Sequence, residues 1–446
     1  MKRSTIAPAI SFGDDAVFEC DVLVVGLGAG GSMVFHELSR RGLDVLACEL
    51  GGEYDPRDMS CREDEMLPRL FMEGGARATR DFAVRILQGK GVGGSTIHNT
   101  NLCKRLPHEI LEIWREEHGL TELTPEALDD DFAYVEELLG VKPIPDRRVN
   151  AQNAVLERGL DALGYAGGRM SHNRSHEDCQ ESGFCELGCP NNGKQNAAKI
   201  LVPRGLEAGG RVLTGAQVTQ LQREGRRLVG ASGRAVDPVD GRVLGEFEIT
   251  CDRVVLGASA TGSPALYQAS GLPDPNQLVG TNLHMHPAAI VMGAFDRPDD
   301  APIEGWLGNP QSIECTEVLE FAHDSDERAW IVTGFAHPAG ASTFVPGFGP
   351  EHTALMKKFP RLASLIVMLH DHTAGRVTPG EGQAVNIDYA LDAEDYRALE
   401  VGIKTAGELM LAAGAREITV PLVDPVRASD KADLDSAFTA ADLGPL

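Results

Sequence analysis

The stretch Cys20–Leu50, CDVLVVGLGAGGSMVFHELSRRGLDVLACEL, constrains this chain more than any other. It reads as strand, glycine turn, helix and second strand, closed by an acid. Asp21–Val25 is a short apolar run of the kind buried in a parallel sheet. Gly26-Leu27-Gly28-Ala29-Gly30-Gly31 then supplies G-x-G-x-x-G spacing. Gly26 makes the tight turn, Gly28 lets the backbone approach a pyrophosphate, and Gly31 lets the helix pack on the strand; Gly30 completes the run. The helix N-terminus offers unpaired N–H groups and partial positive charge to phosphates. Leu43–Ala47 forms a second apolar strand, and Glu49 stands at its end, where a carboxylate accepts hydrogen bonds from a ribose diol. With both strands, the helix and the acid in register, the segment predicts dinucleotide binding.

Composition narrows the partners. The chain has 446 residues, enough for two domains or one large interleaved one. Its formal net charge of −25 argues against nucleic acid and anionic membranes. An anionic cofactor must then be held by local N–H groups rather than by the overall field. Lys2 and Arg3 precede an apolar stretch too short for a signal peptide, and no run reaches transmembrane length. Nine cysteines, an odd count, are thinly spread apart from one cluster, which speaks against a disulfide framework. A cytoplasmic protein with no membrane segment is the expectation.

The order of elements separates the cofactors. Gly89–Asn101, GKGVGGSTIHNTN, is a second glycine-rich loop; Pro107–His118 and Pro125–Leu139 read as helices. Ser171–Asn196 is polar and irregular, Arg211–Val255 suggests a β-meander with a turn at Asp237–Gly241, and Arg253–Ala258 is a returning strand. From His286 to Val377, apolar runs divided by Gly and Pro suggest strands of another layer, and Asp392–Ala413 is a helix with Leu399, Ile403, Ala406 and Leu409 on one face. A nicotinamide enzyme usually continues its sheet directly after the second strand. Here a meander intervenes, which suits FAD, and a second glycine loop suits the close approach a flavin ring needs.

The loop motif G-x-G-x-GGS-x-x-x-N after a dinucleotide fingerprint resembles the glucose–methanol–choline (GMC) family of flavin oxidoreductases, in its long-chain-alcohol-oxidase and bacterial dehydrogenase branch. GFCELGCPNNGKQNA at Gly183–Ala197, VVLGASATGSPALYQASG at Val254–Gly271, VGTNLHMHP at Val279–Pro287 and HDHTAGRV at His370–Val377 extend the resemblance over about residues 18 to 420. It implies an α/β fold in which an FAD-binding Rossmann-like domain is interleaved with a substrate domain built on an antiparallel sheet with helices. The implied boundaries are residues 16–145 and 197–285 for FAD, 146–196 for a cap segment with the cysteines, 286–420 for substrate, and a tail at 421–446. The resemblance lays Gly93, Gly94, Ser95 and Asn99 against the flavin, with Thr100, Asn101 and Leu102 along the ring. It puts Val218, in the segment Ala216–Val218, at the adenine end and Ala258 and Ser259 near the pyrophosphate. It implies two-electron oxidation of an alcohol, a base taking the hydroxyl proton while hydride passes to flavin N5. The substrate it implies is a small-molecule alcohol; the electron acceptor is left open between oxygen, quinone and protein.

Cys179, Cys185 and Cys189 form C-x5-C-x3-C followed by Pro190. Three soft ligands in one loop suit an iron–sulfur cluster, and some GMC dehydrogenase subunits carry one in a similar segment; a thiol-bearing cap loop is the plainer reading. His284 and His286, like His370 and His372, alternate as on a strand and are expected to share a face, more as satisfied polar residues than as metal ligands. The family's H-x-x-G-T-C-R-M-G segment is absent after the Asp392–Ala413 helix, so no catalytic residue is assigned. That leaves three expectations: a chain cut short, a split chain completed by a partner, or a divergent protein using His370, His372 or His98. The first is preferred, with weak FAD binding, an exposed apolar sheet edge and slow alcohol oxidation as its consequences. A subunit needing an electron-transfer partner and a non-catalytic flavin-binding protein are the alternatives. An NAD(P)H-linked reductase would need a second fingerprint, which the sequence after Gly31 lacks.

Overall fold

The computed structural model describes residues 5–13, 15–297, 301–322, 324–382, 384–422 and 424–443; Lys2 and Arg3 lie outside them. Its first sheet has seven strands in the order Thr5–Pro8, Arg211–Thr214, Val45–Glu49, Ala16–Val25, Val243–Leu256, Arg227–Val236, Ala216–Glu224. The first five run parallel and the last two join antiparallel as the meander. The continuous apolar runs of the fingerprint strands are explained by burial on both faces. Val24, Val45 and Ala47 pack with Phe35 of the helix Ala29–Arg40 and with Val202 of the helix Ala197–Glu207. Leu23, Val25 and Leu46 point the other way, against Phe247 and Ile249.

The second sheet is antiparallel, in the order Val426–Ala428, Glu417–Val420, Ala288–Ala294, Leu362–Leu369, Ala329–Thr333, Ile313–Cys315, Gly167–Arg169. The helices Ala151–Leu163 and Ala393–Ala412 share its core, and the stripe Leu399, Ile403, Ala406 and Leu409 is buried there. Asp392 caps the long helix by accepting from the N–H groups of Glu394 and Asp395.

Two expected boundaries are corrected by this sheet. The segment 146–196 is not a separate cap: its helix Ala151–Leu163 lies in the second core and Gly167–Arg169 pairs with Ile313–Cys315. Nor is 421–446 a mere tail, since Val426–Ala428 pairs with Glu417–Val420 and Leu434, Phe438 and Leu443 are buried in the same core.

One edge of the first sheet is open. The strand Val243–Leu256 pairs with the meander only up to Thr250, while Cys251–Leu256 runs on beside Ala16–Val25 alone among the described residues. Beside it lies an apolar groove of about 710 Å³, lined by Leu38, Leu43, Leu221, Leu228, Val254 and Leu256 among others. No helix among the described residues is long and apolar enough to cross a membrane.

Candidate cofactor-binding site

The glycine turn sits at the carboxyl edge of the parallel strands, where open α/β sheets bind ligands. Gly26 donates to Cys48 O at 2.8 Å, which ties the turn to the neighbouring strand. Gly31 lies so close to Gly26 O that a Cβ there would collide with it, so the helix seats against the turn only with glycine at this position. Gly28 is the N-cap and has no capping side chain, and Ala29 and Gly30 are exposed. The first-turn N–H groups are therefore open to a phosphate.

Glu49 is 5% exposed and already engaged. Its carboxylate accepts from Leu27 N at 2.9 Å, Gly51 N at 3.0 Å and Gly91 N at 2.9 Å. Burial raises its pKa, and the backbone N–H groups oppose that shift. With three of about four acceptor sites used, Glu49 first knits the fingerprint turn to the second glycine loop, leaving little capacity for a ribose.

That second loop folds directly onto the first. Gly93 donates to Leu27 O at 2.9 Å, and a Cβ on Gly94 would stand 2.6 Å from the Cα of Gly28. Gly89 N donates to Ser95 Oγ at 2.9 Å, closing the loop. Ser95 and Asn99 are exposed while Gly93, Gly94, Ile97 and His98 are buried, so these two polar residues reach the open side. Thr100 Oγ1 lies 2.7 Å from Gln311 Oε1 of the second domain, and Leu102 bridges to His172. Asn101, fully buried, holds a left-handed φ of 73° and donates to Asn173 O at 3.1 Å and Asn173 Oδ1 at 3.0 Å. His98 stacks on Phe71 with 3.9 Å between ring centroids, and burial pushes its pKa down to about 3, so the imidazole is neutral.

Ala258 lies beside the glycine turn, next to Gly26, while Val218 packs against the core cluster of Leu23, Leu46 and Phe247. Gly215, next to the strand that carries Val218, donates to Gly51 O at 3.1 Å in the loop held by Glu49. Ala258 caps the helix Ser259–Ala269, and Ser259 takes a left-handed φ of 73°. Such a conformation in a non-glycine residue costs on the order of 1–3 kcal/mol and gathers at functional turns. The carbonyl of Gly257, two residues earlier, would lie 2.6 Å from a Cβ on Gly26. The resulting cradle, floored by glycine backbone and edged by uncapped N–H groups, fits an extended dinucleotide.

The cysteine segment does not fit a cluster. All nine cysteines are free thiols. Cys179, Cys185 and Cys189 line a common void with Arg174 and Lys194, but it measures only about 10 Å³, no more than one water's worth of space. No group of three or more His, Cys, Asp or Glu among the described residues is placed to hold a metal ion.

Neither histidine pair lies in a strand, so alternation does not set which way the rings face. His284 and His286 lie in a loop and are both exposed; Asp371 stands 3.3 Å from His284 Nδ1 and accepts from Met285 N at 2.8 Å and Tyr389 OH at 2.6 Å. His370 is half-buried, edge-on to Phe321, whereas His372 is exposed and 2.8 Å from Asp392. Sequence reasoning missed Arg174 and Lys194, both buried and both bonded to the second glycine loop.

A parallel sheet whose two glycine loops meet at its carboxyl edge, joined to an antiparallel second layer, defines an α/β protein of the dinucleotide-binding type. Residues 67–288 match the family model for GMC oxidoreductases, and the chain belongs to that family. It is 31% identical over 423 residues to an uncharacterized GMC-type oxidoreductase of Mycobacterium tuberculosis, covering 94% of this chain and 64% of the relative. A long-chain-alcohol oxidase of Arabidopsis thaliana is 29% identical, with 94% of this chain and 56% of that protein covered. The chain thus spans less than two thirds of the length of these relatives. Among solved structures, pyridoxine 4-oxidase from Mesorbium loti aligns with a TM-score of 0.62 at 16% identity, covering 93% of this chain and 85% of that one. A formate oxidase from Aspergillus oryzae, studied for its FAD modification, aligns at 0.62 and 15% identity, covering 89% and 81%.

Proposed function

We propose that this chain binds FAD non-covalently and oxidises a small-molecule alcohol, working in the cytoplasm. The observation that carries the reading is the contact of Gly94 with Gly28, which brings the phosphate turn and the flavin loop of the family motif into one cradle. Gly26, Gly28, Gly30 and Gly31 would hold the pyrophosphate, with Ala258 and Ser259 beside it and Val218 toward the adenine. Gly93, Gly94, Ser95, Asn99, Thr100, Asn101 and Leu102 would border the ring. When bound, FAD supplies a two-electron acceptor for the hydride of the alcohol carbon. The buried loop excludes water from that side, while Ser95 and Asn99 offer hydrogen bonds on the open side. The long-chain-alcohol oxidase among the relatives supports an alcohol as donor.

The test is the visible spectrum of the purified protein, followed by anaerobic bleaching with a panel of primary, secondary and sterol alcohols. A chain that ignores FAD and binds NAD tightly would overturn the reading. The open edge at Cys251–Leu256 and its apolar groove favour a second reading, in which the flavin half works with a partner chain. Flavin uptake without alcohol turnover, restored by an added polypeptide, would select it.

A further inference from the structure

Arg174 and Lys194 are 3% and 2% exposed, and they face each other across an antiparallel bridge in the cysteine segment. Lys194 Nζ donates to Ile97 O at 2.8 Å, to Asn99 O and to Cys185 O at 3.0 Å. Arg174 Nη2 donates to Asn101 Oδ1 at 3.4 Å and to Cys185 Sγ at 3.4 Å, and Nη1 reaches Cys179 Sγ at 3.9 Å. The neighbouring Arg148 has Glu181 at 3.2 Å, but neither Arg174 nor Lys194 is ion-paired with a carboxylate among the described residues. The carboxyl that Lys194 senses electrostatically is Glu186, itself pushed up to about 7 by burial.

Buried charges without counter-charges are costly, and proteins ordinarily pair them. Here two cations spend their donors on carbonyls and an amide of one loop, Ile97–Asn101, and on thiols behind it. The loop carries the left-handed Asn101, whose conformation must be held from outside.

We propose that Arg174 and Lys194 are positioning residues: a two-cation clamp that holds Ile97–Asn101 in its cofactor-receiving shape and biases a bound flavin toward its reduced, more negative state. This rests on the FAD reading above. No carboxylate among the described residues is ion-paired with either cation, so added negative charge on the cofactor side of the loop is favoured through a low-dielectric layer.

The experiment measures FAD affinity and the two-electron midpoint potential in the full chain for wild type, Lys194→Met, Arg174→Gln and the charge-conserving Lys194→Arg and Arg174→Lys. Each neutral variant is expected to lose about tenfold or more of the preference for reduced flavin, a fall of about 30 mV, with FAD binding weakened as well. Lys194→Arg should restore the potential. A neutral variant that melts lower yet keeps the wild-type potential would show a structural staple and overturn the clamp. If neither neutral variant folds, Arg174→Lys, which draws charge back from Asn101, decides: an unchanged potential and affinity there also overturn it. A wild-type chain that takes up no FAD defeats the proposed function itself, a result distinct from a flavin-loaded chain whose potential ignores both cations.

Discussion

Gly94 rests backbone to backbone on Gly28, so near that a Cβ on Gly94 would stand 2.6 Å from the Gly28 Cα. The relationship is one-sided. A Cβ on Gly28 meets nothing within 4 Å, whereas one on Gly94 or Gly31 meets backbone, and Gly94 also has a left-handed φ of 53°. Gly94→Ala and Gly31→Ala should therefore lower the stability of cofactor-free protein by about 2–3 kcal/mol. Gly28→Ala should cost about 1 kcal/mol or less, as a poorer N-cap, and should show its main loss in FAD affinity. Urea unfolding of the apoprotein beside a fluorescence titration separates them. Equal unfolding losses in all three would refute this asymmetry.

Glu49 offers a sharper contrast with the sequence expectation. A ribose contact alone would leave the apoprotein indifferent to Glu49→Ala. With Leu27, Gly51 and Gly91 N–H groups left unsatisfied, the variant should instead lose about 3 kcal/mol or more before any cofactor is added. Glu49→Gln, which keeps an acceptor oxygen, should lose less. An apoprotein whose urea midpoint does not move in Glu49→Ala would restore the simple ribose role.

The glycine turn and Glu49 show where the sequence is legible. The turn is local: four glycines, a strand before and a helix after are all within one short span, and their steric needs are visible in the residue types. Glu49 is visible by position, but its partner Gly91 lies 42 residues away and donates through backbone that any residue carries. Arg174 and Lys194 were invisible for the same reason, since carbonyls and thiols, not acids, receive them. The histidine pairs misled because alternation has meaning only within a strand: the strand Leu362–Leu369 ends just before His370, and His284 lies in a loop. The strand Thr5–Pro8 has too few residues to show a period.

His98 gives a pH prediction. Its pKa falls from 6.5 in the unfolded chain to about 3 in the fold, because burial penalises the imidazolium. Below 6.5 the unfolded state binds a proton that the native state refuses, so stability is intact above that pH and drops as pH falls toward 3. The contribution is about 1.4 kcal/mol per pH unit. His98→Asn should flatten the fall between pH 6 and pH 4 by roughly that amount per unit. Parallel wild-type and variant stability curves across this range would show that His98 is not held neutral. His172, lowered well below 6.5 by burial, contributes in the same direction.

Arg328 and Asp395 form an ion pair at 3.1 Å with side chains only 2% and 0% exposed. Asp395 also accepts from His372 N at 2.8 Å and Thr373 N at 3.0 Å, and Arg328 donates to His370 O at 2.6 Å. The pair thus fixes the chain of HDHTAGRV onto the long helix of the second domain. Removing one partner strands a buried charge, so Asp395→Asn should cost about 3–5 kcal/mol. Replacing both, as Arg328→Met with Asp395→Leu, should recover part of that loss, because no charge is then left unpaired; the bonds to His370, His372 and Thr373 would still be missing. Because water and ions are excluded, the Asp395→Asn loss should be nearly the same at low and at high salt. Guanidinium is itself a salt, so urea unfolding with and without sodium chloride is the measurement. A loss under about 1 kcal/mol, or one that salt abolishes, would mean that the pair is solvated in solution.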